Sequence, residues 1–444
     1  MLVFIENTPR AYAWGSRDAL PELLGTAPTG EPQAELWLGA HPGGPATVAK
    51  GAPTPSTLID LIERDPEAYG VDGGQLPFLL KVLAIGAPLS LQVHPDSEQA
   101  AAGFDAEEAA GVPRDAKDRN YGDRNHKPEL LVALSEVTAL CGFRSLEAAG
   151  KDLEALAAAV APGPEAEALA AAAGRCAAEA GGAAADDVRR AFVCWALSGE
   201  DADGVRATVQ AVGRAVQPPS EVLEQRIGAD RLAALRQLVA AYPEDPGVLV
   251  SLLLHLVRLL PGEAVYLKAR QLHAYLSGIA VEVMAASDNV LRAGLTEKHI
   301  DVAELLSVLD PCELADPRFP ARTLAPGLVA YEPGVPDFRL LRARLCEPEG
   351  DDGSGSAAFA VAADDRAETV AVDAHYPLVL IVTSGRVRVE RPGAEFGEVA
   401  SVGRGQSLYV SAGEPVELSG LGEAFVATVG AGWGEPSAHR RVAC

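Results

Sequence analysis

An abrupt change of texture near residue 145 constrains the fold more than any other feature of this chain. Up to about residue 144 the text is rich in Gly, Pro and short apolar runs such as FLLKVLAI and LSLQVHP. That is the pattern of short strands separated by turns. From 145 to about 258 alanine dominates, as in LEALAAAVAP, EAEALAAAAGRCAAEA and DRLAALRQLVAAY. Ala, Leu, Glu and Arg are strong helix formers, so this stretch predicts a helical block. Pro162, Pro164, Pro218, Pro219 and Pro246 punctuate it. His255, near its end, reads as a packing residue in an apolar helix. Strand-like text resumes after Pro261 with GEAVYL and AVEVMA, followed by a short helix, DVAELLSVL, and a connection over residues 321–336. From Asp337 onward short apolar–polar alternations such as FRLLRARL and PLVLIVTSG predict an antiparallel sandwich or barrel.

The 444 residues carry a formal net charge of -25. A chain so acidic lacks the broad basic surface that nucleic acid requires. A small anion would need a local nest of cations. The six cysteines, Cys141, Cys176, Cys194, Cys312, Cys346 and Cys444, show no CxxC pairing, which argues against a disulfide framework or a thiolate zinc site. The opening MLVFIENTPR does not read as a signal peptide. The longest apolar stretch, Val248 to Leu260, is too short and polar to span a membrane. A reducing, cytoplasmic setting is expected, with no membrane partner.

One spacing points to chemistry. Gln92 and His94 lie two apart in LSLQVHPD, and on a strand residues i and i+2 project from one face. Glu129, in NHKPELLVAL, directly precedes an apolar run that reads as a buried strand. A buried carboxylate needs a partner, which a metal would supply. His273 follows PGEAVYLKARQL, and Tyr275 shares its face if the chain there is extended. Two imidazoles, a carboxylate and an amide oxygen suit zinc, and also manganese, iron or cobalt. His126 and His299, each beside a charged residue, read as surface or hydrogen-bonding histidines, and His41 as a turn residue. Trp14 and Trp37 are expected to pack the first sheet.

Several motifs, in order, resemble the type I mannose-6-phosphate isomerases of the cupin superfamily. They are YAWGS (12–16), AELWLGAHPGGP (34–45), PFLLKVLAIGAPLSLQVHPD (77–96), NHKPELLVAL (125–134), ALCGFR (139–144) and HAYLSGIAVEVMAASDNVLRAGLTEKHIDV (273–302). The resemblance implies a mainly β fold with an α-helical insertion: two jelly-roll, cupin-like β domains plus a helical domain. Residues 1–144 and 259–320 would form the catalytic jelly roll, 145–258 the helical insertion and 321–444 a C-terminal jelly-roll-like domain. That last domain has no QxH or HxH pair, only the distant His375 and His439, and is expected to bind no catalytic metal. The sequence is compatible with a monomer.

By the same resemblance one Zn2+ per chain would be held by Gln92, His94, Glu129 and His273. The activity implied is interconversion of D-mannose 6-phosphate and D-fructose 6-phosphate through an enediol. Arg292 falls on the family's active-site arginine. It cannot readily lose a proton, so it reads as an electrostatic stabiliser or a phosphate contact. Roles are also implied for Tyr275 and for Glu282, Asp288 and Lys127, the candidate bases. Lys81, Ser90 and Lys298 are the candidate phosphate contacts, with Lys81 and Ser90 expected on adjacent strands. A metal-dependent cupin oxygenase and a non-catalytic sugar-binding cupin are the alternatives. The family's Pro-x-Gly turn before the last histidine is replaced here by Lys268 and Arg270, which puts that turn's geometry in question.

Overall fold

A computed structural model describes residues 1–49, 56–67, 69, 75–177, 183–346, 366–394 and 397–432; His439 and Cys444 lie outside them. Within these residues are two ten-stranded antiparallel sheets and eleven helices, with helix and strand in about equal share. The expectation of a mainly β chain is corrected to that extent. The helices of the alanine-rich block alone run from Leu146–Ala159 to Gly247–Ser251. Ser145 and Ser220 cap two of these helices, accepting from the N–H groups of Ala148 and Leu223, and Pro164 opens another. No helix among the described residues is long and apolar enough to cross a membrane.

The first sheet is organised by one long strand, His273–Ala285. Its first half pairs with Val137–Phe143 and, at His273, with Gln92. Its second half pairs with Phe78–Ile85 on one side and Glu129–Ala133 on the other. The change of partners falls at Gly278, where φ is +109 and an added Cβ would lie 2.4 Å from the Glu136 carbonyl oxygen. Only glycine fits that bend.

Period-two alternation then sorts the side chains of this sheet. Phe78, Leu80, Val82, Leu130, Val132, Val281 and Val283 face a core shared with Tyr331, Phe338, Leu340, Val379 and Phe425 of the second sheet. The intervening positions, Leu83, Leu131, Ala133 and Ala280, join Cys141 and Tyr275 in a separate inner core. Lys81, Glu129 and Glu282 occupy the same alternate positions as these inner residues, which is how charged side chains come to be buried there.

Three expectations are revised, and the first strand pairs far along the chain. His255 lies on a strand, Leu254–Leu259, not a helix, and its Nε2 sits 2.6 Å from the Leu314 carbonyl oxygen. Residues 321–336 are not a plain connection, because Arg322–Ala325 and Leu328–Tyr331 pair as antiparallel strands. Leu2–Glu6 pairs with Ser407–Val410 of the second sheet, away from the strands that surround the candidate site. Lys81 and Ser90 are not on adjacent strands; the Phe78–Ile85 and Gln92–Val93 strands each pair with His273–Ala285.

Candidate metal centre and its surroundings

His94, Glu129 and His273 are all buried, and one ligand atom from each lies within 4.8 Å of the others. Three separate strands supply them. The Gln92–Val93 strand leads into His94, Glu129 opens Glu129–Ala133, and His273 opens the long strand. His94 Nε2 is 3.2 Å from Glu129 Oε1, and His273 Nε2 is 3.3 Å from Glu129 Oε2.

The tautomers follow from the other ring nitrogens. His94 Nδ1 lies 2.8 Å from the Asn289 carbonyl oxygen, and His273 Nδ1 lies 3.0 Å from that of Gln271. A carbonyl only accepts, so both Nδ1 atoms carry protons and both Nε2 atoms present lone pairs. Those lone pairs face a carboxylate, and His94 Nε2 is buried with no hydrogen-bond partner. Three acceptors converging on one point require a cation between them. A proton on His94 does not serve at neutral pH, because burial, helped by the nearby Lys127, pushes its pKa down to about 4. Neutral imidazoles fixed by Nδ1–H bonds to carbonyls, with a carboxylate, are the donor set of a zinc-type site. The residues fit one metal ion.

The surrounding pocket is lined by Gln92, Ser90, Lys81, Lys127, Tyr275 and Glu282, among others. Gln92 donates through Nε2 to Ser90 Oγ at 3.3 Å, which leaves its amide oxygen uncommitted by that bond. Lys127 Nζ is 2.9 Å from Glu129 Oε1. Burial works against charge on Glu129, but Lys127 and His94 hold its carboxyl well below the ordinary range. Tyr275 donates to Glu129 Oε2 at 3.5 Å, and burial keeps its hydroxyl protonated.

Lys81 lies 3.4 Å from Glu282 Oε2 and 3.8 Å from Glu35 Oε2. Burial opposes its charge, but the two carboxylates outweigh burial and hold its pKa above the ordinary lysine value. Glu282 behaves differently. Burial, and then repulsion from Glu129, push its carboxyl up to about 7. The pocket therefore sets a fixed cation beside a group poised to exchange a proton near neutrality.

Three expected site residues lie apart from this group. Arg292 is half-buried on the strand Leu291–Arg292, opposite Gln92 in the ladder, and no carboxylate among the described residues ion-pairs with it. Burial lowers its pKa, and burial and Arg292 together lower that of Lys298, which places the two cations near each other; neither ion-pairs with a carboxylate among the described residues. Asp288 is 57% exposed at its side chain, 3.6 Å from His41 Nε2, in a second cleft with Asp123 and Asn125.

The sequence reading missed Glu35 and Asn289, and took Trp37 for a packing residue of the first sheet or a sugar-stacking surface. Trp37 Nε1 donates to Glu35, and the Trp37 ring lies 5.0 Å from Lys81 Nζ. Alternation in AELWLG places Glu35 and Trp37 on one strand face and was the available signal. Asn289 had none. Its carbonyl orients His94, and its side chain gathers Gly122, Asp123 and Asn125. His41 is more than a turn residue, because its ring packs edge-on against Trp37. His126 Nε2 lies 2.9 Å from Asp337 Oδ2, a hydrogen-bonding role as expected.

Antiparallel strands that present a buried His–Glu–His set beside buried lysines and a further buried carboxylate define a metal-centre protein of the β-sheet kind. Residues 2–146 match the model of the phosphomannose isomerase type I catalytic domain. Mannose-6-phosphate isomerase of Escherichia coli (strain K12) is 41% identical over 311 residues, covering 68% of this chain and 73% of that protein. The Rattus norvegicus protein of that name is 32% identical over 433 residues, 92% of each chain. A zinc-bound crystal structure of mannose 6-phosphate isomerase matches with a TM-score of 0.78 at 30% identity, over 97% of this chain and 99% of that one. The chain belongs to the type I phosphomannose isomerase family.

Proposed function

We propose that this chain interconverts D-mannose 6-phosphate and D-fructose 6-phosphate through an enediol, using one Zn2+ held by His94, Glu129 and His273, with Gln92 as a fourth ligand. The observation that carries this reading is the convergence of two imidazole lone pairs and a carboxylate in a pocket that also holds Lys81, Lys127 and Glu282. The zinc ion would act as a Lewis acid toward the sugar oxygens as negative charge develops.

Glu282 is the proton-transfer group of this reading. It must take a proton from carbon and return it, and a pKa near the working pH suits both steps. Lys81, held charged by Glu35 and Glu282, supplies positive potential to the enediolate. Tyr275 supplies a neutral hydroxyl donor. Lys127 fixes the Glu129 carboxylate by its ion pair. Asp288, facing His41 in the second cleft, is a less direct candidate for the base. Arg292, Lys298 and Ser90 form the phosphate-selecting part, because two cations with no carboxylate ion pair among the described residues attract a dianion in an otherwise acidic chain. We read the two sheets as jelly-roll units of the cupin kind. The helical block buttresses the site, since its core reaches Leu91, Val93, Leu272 and Leu291, each adjacent in sequence to a proposed ligand or to Arg292. The lysine set favours isomerisation of an anionic sugar over oxygenase chemistry.

Purified, zinc-loaded protein should convert mannose 6-phosphate to fructose 6-phosphate in a coupled assay. Arg292→Ala should lower kcat/KM roughly a hundred-fold through the lost hold on the phosphate and the misplaced sugar that follows, with an unchanged melting temperature. Full activity in that variant would remove Arg292 from the machinery. Sugar-phosphate binding without any turnover in the parent protein would favour the non-catalytic alternative.

A further inference from the structure

We propose that Arg270 is a positioning residue of the metal centre: its turn holds the two histidines at their spacing, and its guanidinium holds the turn. The inference rests on the metal reading above. Arg270 has φ +71, and Leu295 is the only other non-glycine with positive φ among the described residues. The turn touches both histidines through the main chain. The Arg270 N–H donates to the His94 carbonyl oxygen at 2.6 Å, and the next carbonyl, of Gln271, accepts from His273 Nδ1 at 3.0 Å. Gln271 closes the turn by accepting, through Oε1, from the Lys268 N–H at 3.2 Å. The Arg270 carbonyl accepts from the Asp310 N–H at 2.9 Å.

A side chain with a β carbon resists this region of φ, whereas glycine enters it freely. The turn therefore needs an external hold, and the Arg270 side chain supplies one. Its Nε donates to the Val308 carbonyl oxygen at 2.9 Å, beside the end of the Val302–Val308 helix. Its Nη1 lies 3.9 Å from Asp96 Oδ2, and Asp96 is itself fixed as the cap of the Ser97–Ala109 helix. In this way a residue outside the proposed ligand set fixes the distance between two of its members.

Two substitutions separate clamp from strain. Arg270→Ala keeps the β carbon and loses the clamp. Arg270→Gly loses both. Zinc affinity is measured on metal-free protein by competition with a chelating dye at fixed pH, with thermal melts of the same samples. The parent protein should bind one zinc ion. Arg270→Ala should bind it about tenfold more weakly, in the range typical for groups that orient ligands. Arg270→Gly should stay within about threefold of the parent, because glycine needs no clamp. Should Arg270→Ala fail to fold, Arg270→Lys, which lacks the Nε–H donor, gives the same comparison. Equal affinity in the clampless variant and the parent overturns the proposal, and so does equal weakening by alanine and glycine. Absence of zinc binding in the parent protein instead overturns the metal reading itself.

Discussion

Glu129→Ala should abolish stoichiometric zinc binding and lower turnover roughly a thousand-fold or more, as loss of the metal's polarising role would require. The reason is geometric. Glu129 reaches both histidines, one through each carboxylate oxygen, and it is also the partner of Lys127 and Tyr275. Without it the two Nε2 lone pairs repel each other and Lys127 loses its buried counter-ion. Inductively coupled plasma analysis of dialysed protein gives the metal content, and the coupled assay gives the rate. Retention of one zinc ion per chain in this variant would show that the ion lies elsewhere.

Lys81→Met should destabilise the fold by about 3 kcal/mol at pH 8, the order expected when one partner of a buried ion pair is removed. Glu282, 3% exposed, would then face Glu129 without its cation. The loss depends on pH in a definite direction. Burial and repulsion from Glu129 already push the Glu282 carboxyl of the folded protein up to about 7 from an ordinary 4.5, and removing Lys81 raises it further. Parent and variant therefore diverge as pH rises past the parent's folded value of about 7, although each carries a penalty, from a pKa raised by folding, once pH exceeds the unfolded value of about 4.5. Below that pH Glu282 is protonated in both states and its contribution vanishes. Urea melts of metal-free parent and variant at pH 5 and pH 8 should show the gap widening at pH 8. A gap independent of pH would mean that Lys81 acts by packing alone.

The metal site was legible where local periodicity carries it. The Gln92–His94 pair needs only a period of two, and the strand after Glu129 is announced by LLVAL. Joining these to His273 needs a pairing across about 180 residues, His273 opposite Gln92, which no local pattern encodes. The resemblance to a family supplied that link. Glu282 and Lys81 lie opposite each other in the ladder, so their ion pair is also a product of register. The same limit hides the other long-range pairings of the fold. Leu2–Glu6 finds its partner at Ser407–Val410, at the other end of the chain. His255 lies in an apolar run that suits a helix or a buried strand equally, and tertiary pairing with Val137–Phe143 decided for the strand. Asn289 acts through a main-chain oxygen, which residue identity does not report. Arg270 breaks a local rule, and the contacts that compensate for it come from Val308 and Asp96.

Removal and return of the metal tests the central claim most directly. Dialysis against a strong chelator should abolish conversion of mannose 6-phosphate while leaving the fold intact by circular dichroism. Titration with Zn2+ should restore activity in proportion to bound metal and saturate at one ion per chain. Metal-free protein that turns over as fast as zinc-loaded protein would contradict the assignment of His94, Glu129 and His273 as a catalytic metal centre.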